Sequence, residues 1–305
     1  MKKLIYVLIF SLLIFYMILH PAEACEASEN GILLWFTQVL PALLPFTMIS
    51  AMIMRSGLLA YFEEHLPAPA ARLGAGRLYI IFCGFLFGFP IGSKLACDCC
   101  LSGLISKRDA EILCCFTNNL SPAFILSYVL NTRLHHAYPA SITLAILYLP
   151  PFCIGCLLLF GASAKKQKKS MKKTSRFQLD MQIVDAGIIS GFETLIKLCG
   201  YIVFFSMLGS IVNTISLLPS AVRLFLCASL EVTNGTAIIA DSTLSSAAKY
   251  ITCVGLLATG GLSGLAQTAS MLAPADLSLN SYIKMKLLFT TCSLLSAAVF
   301  CLLFI

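Results

Sequence analysis

Apolar runs of membrane-spanning length recur from one end of this chain to the other, and polar clusters interrupt them at particular places. Segments 31–54, 78–104, 111–130 and 138–160 precede a strongly polar stretch, and 183–212, 220–240, 247–272 and 281–305 follow it. Runs of roughly 20 apolar residues predict helices that cross a bilayer. A further run opens the chain as "MKKLIYVLIFSLLIFYMILHPAEAC". Its Ala22-Glu23-Ala24 triplet is like a signal-peptidase site, but a core of about 16 apolar residues is long for a cleaved signal. The pattern predicts an uncleaved N-terminal helix (1–24) and an all-α polytopic membrane protein.

The two sets of four segments match in order and content. "NNLSPA" (Asn118–Ala123) aligns with "GGLSGL" (Gly260–Leu265), and "RLYIIFCGFLFGFP" (Arg77–Pro90) with "RLFLCASLEVTNG" (Arg223–Gly235), at nearly equal offsets. Such self-similarity predicts an internal duplication. Repeat 1 covers 31–160 and repeat 2 covers 183–305, joined by a basic loop (161–180). Lys2 and Lys3 place the N-terminus in the cytoplasm, and so do the seven basic residues of "AKKQKKSMKKTSR" (Ala164–Arg176) for the loop. An odd number of crossings must lie between residues 25–30 and that loop, yet four segments do. Segment 78–104 is the one expected to turn back as a re-entrant hairpin. Arg77 to Gly88 reaches about 18 Å as helix, near the middle of a 30 Å hydrocarbon core. Repeat 2 is then inverted, its hairpin is 220–240, and Lys284 and Lys286 mark the cytoplasmic start of the last helix.

The breaks carry the polar chemistry. In "GFPIGSKLACD" (Gly88–Asp98) Pro90 suits the first turn of a returning half-helix. Its N-terminal partial charge, the backbone at Gly92 and Ser93, and the Lys94 ammonium would together meet an anionic group. The plainer reading has Lys94 snorkelling or neutralising Asp98 one turn on. Asn118, Asn119 and Ser121, before Pro122, either serve a polar ligand or satisfy carbonyls that the proline frees. Repeat 2 supplies Glu231, Asn234, Gly235, Ser263 and Gln267 at the matching places. Glu231 has three readings: an ion pair with Lys94, a ligand contact, or a carrier of a coupling proton or cation. Inverted repeats whose broken helices meet at the midplane are the plan of secondary transporters. On that plan Lys94→Ala is expected to abolish transport of an anion while the protein still folds; loss of folding would favour the ion pair.

Composition narrows the function. Of 305 residues 59% are hydrophobic and 11% charged, leaving no room for a sizeable soluble domain. Mean hydropathy is +0.90. The basic run reads as a cytoplasmic loop, not a nucleic-acid patch. Most of the fourteen cysteines lie inside apolar runs as small hydrophobes. The cluster Cys97, Cys99, Cys100, Cys114 and Cys115 has no histidine near it in sequence and no standard zinc spacing, so neither metal nor cofactor is expected. No GxSxG, HExxH or P-loop is present, and no enzyme activity is expected. The expected partners are the bilayer and a small-molecule solute, with H+ or Na+ as coupling ion and self-association left open.

The stretch "GFPIGSKLACDCCLSGLISKRDAEILCCFTNNLSPAFIL", with "LWFTQVLPALLPF", "LEVTNG" and "GGLSGLAQ", resembles the YlbJ-type sporulation integral membrane proteins. These belong with the Gate-domain, or nucleoside-recognition-domain, membrane proteins. The shared pattern is G-[FY]-P-x-G-[SA]-K at Gly88–Lys94, a stretch ending G-L-I-[ST]-K at Gly103–Lys107, and E-x-x-x-x-F-x-N-x-x-[SG]-P at Glu111–Pro122. The resemblance implies a place in the bacterial cell membrane, or in the outer forespore membrane, and movement of dipicolinic acid toward the forespore. The wider group is similar in plan to concentrative nucleoside transporters, which implies a nucleoside as the alternative solute. A membrane scaffold in spore assembly that moves no solute is the rival from another class.

Overall fold

The computed structural model describes residues 2–162 and 177–304. The basic run Ala164–Arg176 therefore lies outside the described residues. Helix α1 (Lys2–Leu19) is followed directly by α2 (Pro21–Ser56). The first long helix thus starts well before residue 31, where the apolar run begins. "PAEACEASEN" is polar, but its proline takes the first turn, where no N–H is needed, and alanine and glutamate propagate a helix well. Glu23 sits in that turn, on the favourable end of the helix dipole.

Within α2 the backbone widens to a π turn at Trp35–Val39, where the Leu40 N–H reaches back to the Trp35 carbonyl. Pro41 has no N–H for the Thr37 carbonyl, and the local ladder adjusts ahead of it. Gly57, in the left-handed region, ends α2, and α3 (Leu58–His65) follows.

Next comes a helical hairpin, α4 (Ala75–Phe87) and α5 (Ile91–Leu101), of 13 and 11 residues. At 1.5 Å per residue the arms are about 20 and 17 Å long, too short to cross a core of about 30 Å singly. A broken helix follows: α6 (Lys107–Thr117), an irregular Asn118–Ser121, then α7 (122–133), which is mostly π-turned. The long α8 (Ala140–Ala162) closes the first half.

The second half repeats this order. α9 (Met181–Thr214) is long, α10 (Ser220–Leu230) and α11 (Val232–Ala240) form a hairpin, α12 (Ser246–Thr259) and α13 (Gly261–Leu272) make a helix broken at Gly260, and α14 (Leu279–Phe304) closes. Among the described residues six helices are long and apolar enough to cross a membrane: Pro21–Ser56, Lys107–Arg133, Ala140–Leu159, Met181–Thr214, Ser246–Ala275 and Leu279–Phe304. The protein is an all-α polytopic membrane protein.

Packing is reciprocal between the halves. α2 lies along α9, and α8 along α14. The second arm of each hairpin packs on the broken helix of the other half, α5 on α13 and α11 on α7. One buried core gathers Leu95, Leu113 and Phe116 with Tyr282 and Phe289; a second gathers Ile125 and Val129 with Ile239, Tyr250 and Val254; a small third joins Leu13, Tyr16 and Ala24 to Ile211. Large apolar side chains such as Leu157 and Leu302 remain exposed on α8 and α14, where lipid is their natural solvent.

Candidate functional site

The tips of the two hairpins sit against the breaks of the two broken helices. At the first tip Gly88 takes φ 76°, ψ −166°, and the Phe89 N–H donates to the Asn119 carbonyl at 2.5 Å. The first turn of α5 is answered by protein groups: the Ile91 N–H by the Gly88 carbonyl, and the Ser93 N–H by Asn118 Oδ1 at 3.2 Å. The Ser93 hydroxyl turns back to the Pro90 carbonyl at 2.7 Å. Gly92 presses on the backbone of Thr117 and Asn118, leaving about 3 Å for any added Cβ. The donors expected to hold an anion here are therefore engaged within the fold.

Lys94 points elsewhere. Its Nζ donates to Asp98 Oδ2 at 2.8 Å, one turn along α5. Of the readings open to Lys94 the structure shows the plainer one, the pair with Asp98, and not the pair with Glu231: four residues is one helical turn, and the nearer carboxylate takes the ammonium. Exposed and part-exposed pairs of this kind contribute about 0.2–1 kcal/mol. Lys94→Ala is expected to leave the melting temperature within a few degrees of the parent and to leave ligand-induced stabilisation unchanged, as differential scanning fluorimetry would show.

At the second tip Glu231 is the residue between α10 and α11, and its side chain caps α11. The carboxylate accepts from the Thr233 and Asn234 N–H groups, each at 2.9 Å, and from the Thr233 hydroxyl at 3.2 Å. Two orphan donors of a helix start are thereby satisfied. Gly235 lets α11 close onto α10, since a Cβ there would stand 2.2 Å from the Ala228 carbonyl oxygen.

Between the tips lies a cavity of about 230 Å³. Phe89 and Pro90 border it from the first tip, Glu231 and Thr233 from the second, Ser121 from the first break and Gln267 from α13. The π turn of α2 adds Gln38, and α7 adds Phe124 and Tyr128. Gln38, Tyr128 and Glu231 also border a larger vestibule of about 710 Å³, lined by polar side chains including Asn30, Ser206, Asn213 and Asn234. Arg133 stands in its wall with the guanidinium 5.0 Å from the Tyr128 ring centre. Among the described residues no carboxylate pairs with Arg133.

Of the side chains singled out in the sequence, Pro90, Ser121, Glu231 and Gln267 border the cavity, and Asn234 the vestibule. Gly92, Ser93, Asn118, Asn119, Gly235 and Ser263 lie outside both walls. Ser263 is buried and accepts from Gln267 Nε2 at 2.9 Å, which orients the Gln267 amide. Asn118 Nδ2 joins α13 and α14, donating to Thr268 Oγ1 at 2.9 Å and the Tyr282 hydroxyl at 3.1 Å. Asn119 Nδ2 donates to the Phe116 carbonyl at 2.7 Å, one of the carbonyls freed at the end of α6.

The sequence places Lys286 with Lys284 at the cytoplasmic start of the last helix. It is buried two turns into α14, and its Nζ donates to Asn119 Oδ1 at 2.8 Å. The signal was present: Lys286 falls on the stripe Tyr282, Phe289, Ser293, whose helical spacing marks a buried face. Gln38 and Tyr128 had no comparable signal, because nothing in an apolar run says which side chain borders a cavity.

The fold and site define a polytopic membrane protein with two facing hairpin tips and a polar way in. Comparison with known proteins gives the particular likeness. The chain is 24% identical over 307 residues, 88% of its own length and 75% of the relative's, to the sporulation integral membrane protein YlbJ of Bacillus subtilis (strain 168). The likeness supports the family that the motifs resemble, the YlbJ-type sporulation membrane proteins. No family model matches the chain. No solved structure matches it either.

Proposed function

We propose that the chain transports a small solute across a membrane of a sporulating cell. The observation that carries this reading is the cavity bounded by both hairpin tips and continuous in its walls with the vestibule. Cavities of this kind, at the meeting of two repeats, are where secondary transporters bind their solutes. With the N-terminus in the cytoplasm, the vestibule opens on the opposite side, because it gathers the start of α2 and the ends of α7 and α9.

Dipicolinate, the solute that the resemblance implies, is the first candidate. Phe87, Phe89, Phe124 and Tyr128 give the cavity aromatic walls, and Arg133 is the positive charge in a vestibule wall that also holds Glu23, Glu26 and Glu231. Glu231 sets a condition. Two unit charges 4 Å apart repel by about 4 kcal/mol at an effective dielectric of 20. A dianion therefore enters beside a protonated Glu231 or with a cation, which couples its transport to that ion. A second reading is favoured by the absence of Lys, Arg and His from the cavity wall among the described residues. The amides of Gln38 and Gln267 and the hydroxyls of Ser121, Ser127 and Tyr128 suit a neutral aromatic solute such as a nucleoside.

Uptake by proteoliposomes separates these readings. Dipicolinate uptake that rises as the outside is acidified supports the coupled anion, and pH-insensitive nucleoside uptake supports the second reading. If neither solute moves or stabilises the protein, a scaffold role takes its place. Arg133→Gln is expected to raise the dipicolinate concentration for half-maximal uptake about tenfold, the equivalent of about 1.4 kcal/mol, and to leave nucleoside uptake unchanged.

A further inference from the structure

Lys286 is the buried cation that this mechanism leaves unused. It is 7% exposed, and the ion pairs among the described residues, His20–Glu23, Arg77–Asp109, Lys94–Asp98 and Lys107–Asp276, all omit it. A buried charge is costly unless something compensates it. Its Nζ faces two oxygens at two helix ends, on the wall of a cavity of about 560 Å³. Asn119 Oδ1 lies at 2.8 Å, and the same amide is bonded through Nδ2 to the Phe116 carbonyl in the last turn of α6. The Ala258 carbonyl, in the last turn of α12, lies at 3.5 Å. The Tyr282 ring centre is 5.8 Å away, within range for a cation over an aromatic face.

The C-terminal ends of two half-helices, one from each half of the chain, thus converge on a single ammonium. Such ends carry partial negative charge. In transporters built from broken helices they are the places where coupling cations are held. We propose that the Lys286 ammonium is a resident cation that fills such a place permanently, so that the protein has no sodium requirement there. The statement about sodium and transport rests on the transporter reading; the statement about the ammonium does not.

The same geometry explains why a neutral side chain would not serve as well. Removing the charge leaves Asn119 Oδ1 and the Ala258 carbonyl without their donor between the two halves. The expected signature is a need for a cation with N–H donors, beyond a need for bulk.

The full-length protein in detergent tests this by thermal unfolding. Replacing sodium chloride with choline chloride is expected to leave the parent's melting temperature unchanged. Lys286→Ala is expected to melt several degrees lower, and to recover part of the loss with ethylammonium but not with tetramethylammonium, which has the charge but no N–H. Should Lys286→Ala fail to fold, Lys286→Gln keeps donors without charge and is expected to melt below the parent. Stabilisation of the parent by sodium, or a Lys286→Gln protein that melts with the parent, would overturn the proposal. So would a Lys286→Ala protein to which the two ammonium ions are equivalent. In proteoliposomes, solute uptake at full rate without sodium is the expected result, and uptake that requires sodium overturns this inference while leaving transport intact. Rescue by ethylammonium with no uptake of any solute would strike the transporter reading alone.

Discussion

Gly88→Ala is expected to lower the melting temperature of the purified protein more than any other alanine substitution along α4 and α5. Two effects add at this position. The backbone there, φ 76° with ψ near 180°, is a region open essentially to glycine, and holding another residue in it costs about 1–3 kcal/mol. A Cβ would also stand 2.5 Å from the Ser121 nitrogen and 2.8 Å from the Asn119 carbonyl oxygen. Both are backbone atoms that cannot swing aside, and overpacking of this kind costs about a further 1–3 kcal/mol. Gly103→Ala is the control. Gly103 has φ 76° too, but nothing lies within 4 Å of its added Cβ, so it carries strain without collision. Equal losses at the two positions would show that the seat of the tip on the break contributes nothing.

Glu231 carries the second large expectation, and it separates a structural effect from an electrostatic one. Glu231→Ala removes the acceptor of the Thr233 and Asn234 N–H groups. Loss of a helix N-cap costs about 0.5–2 kcal/mol, and buried donors left unsatisfied cost about 1–3 kcal/mol. The variant is expected to be markedly less stable. Glu231→Gln keeps one oxygen for the cap and removes the charge, so its melting temperature should stay near the parent's. On the proposed coupled transport of an anion, its uptake changes instead: the acid stimulation of dipicolinate uptake proposed above is expected to disappear. A Glu231→Gln protein that retains that stimulation would place the coupling group elsewhere.

How far the sequence revealed this arrangement depends on what kind of signal each part leaves. Membrane helices announce themselves through length and hydropathy, and the breaks at Gly88–Pro90, Asn118–Ser121, Glu231 and Gly260 through glycine, proline and polar residues inside apolar runs. The ends of helices were less legible. α2 begins in "PAEACEASEN" because helix formation follows backbone propensity there, whereas the apolar run reports only contact with lipid. Side-chain direction was the least legible. For Lys94 the sequence offers both an anion, from its place one turn into a half-helix, and Asp98 one turn further on, and nothing in the sequence chooses between them; the structure has the pair with Asp98. Nearness to the start of a helix marks Lys286 as a topological signal, while its spacing to Tyr282 and Phe289 puts it on the buried face. Gln38 reaches the cavity wall from a π turn that Pro41 induces, a local rewinding that hydrophobic periodicity does not record.

The lengths of α2 and α9 bear on where the vestibule opens. At 36 and 34 residues they measure about 54 and 51 Å, against a hydrocarbon thickness of about 30 Å. Fitting such lengths inside the hydrocarbon by tilt alone would need more than the roughly 40° that membrane helices reach. Their polar ends, with Glu23, Glu26 and Asn30 on one and Asn213 and Thr214 on the other, therefore stand among headgroups and water as a raised rim around the vestibule. The mouth is then a well sunk from the aqueous side, deeper than the headgroup layer alone would make it.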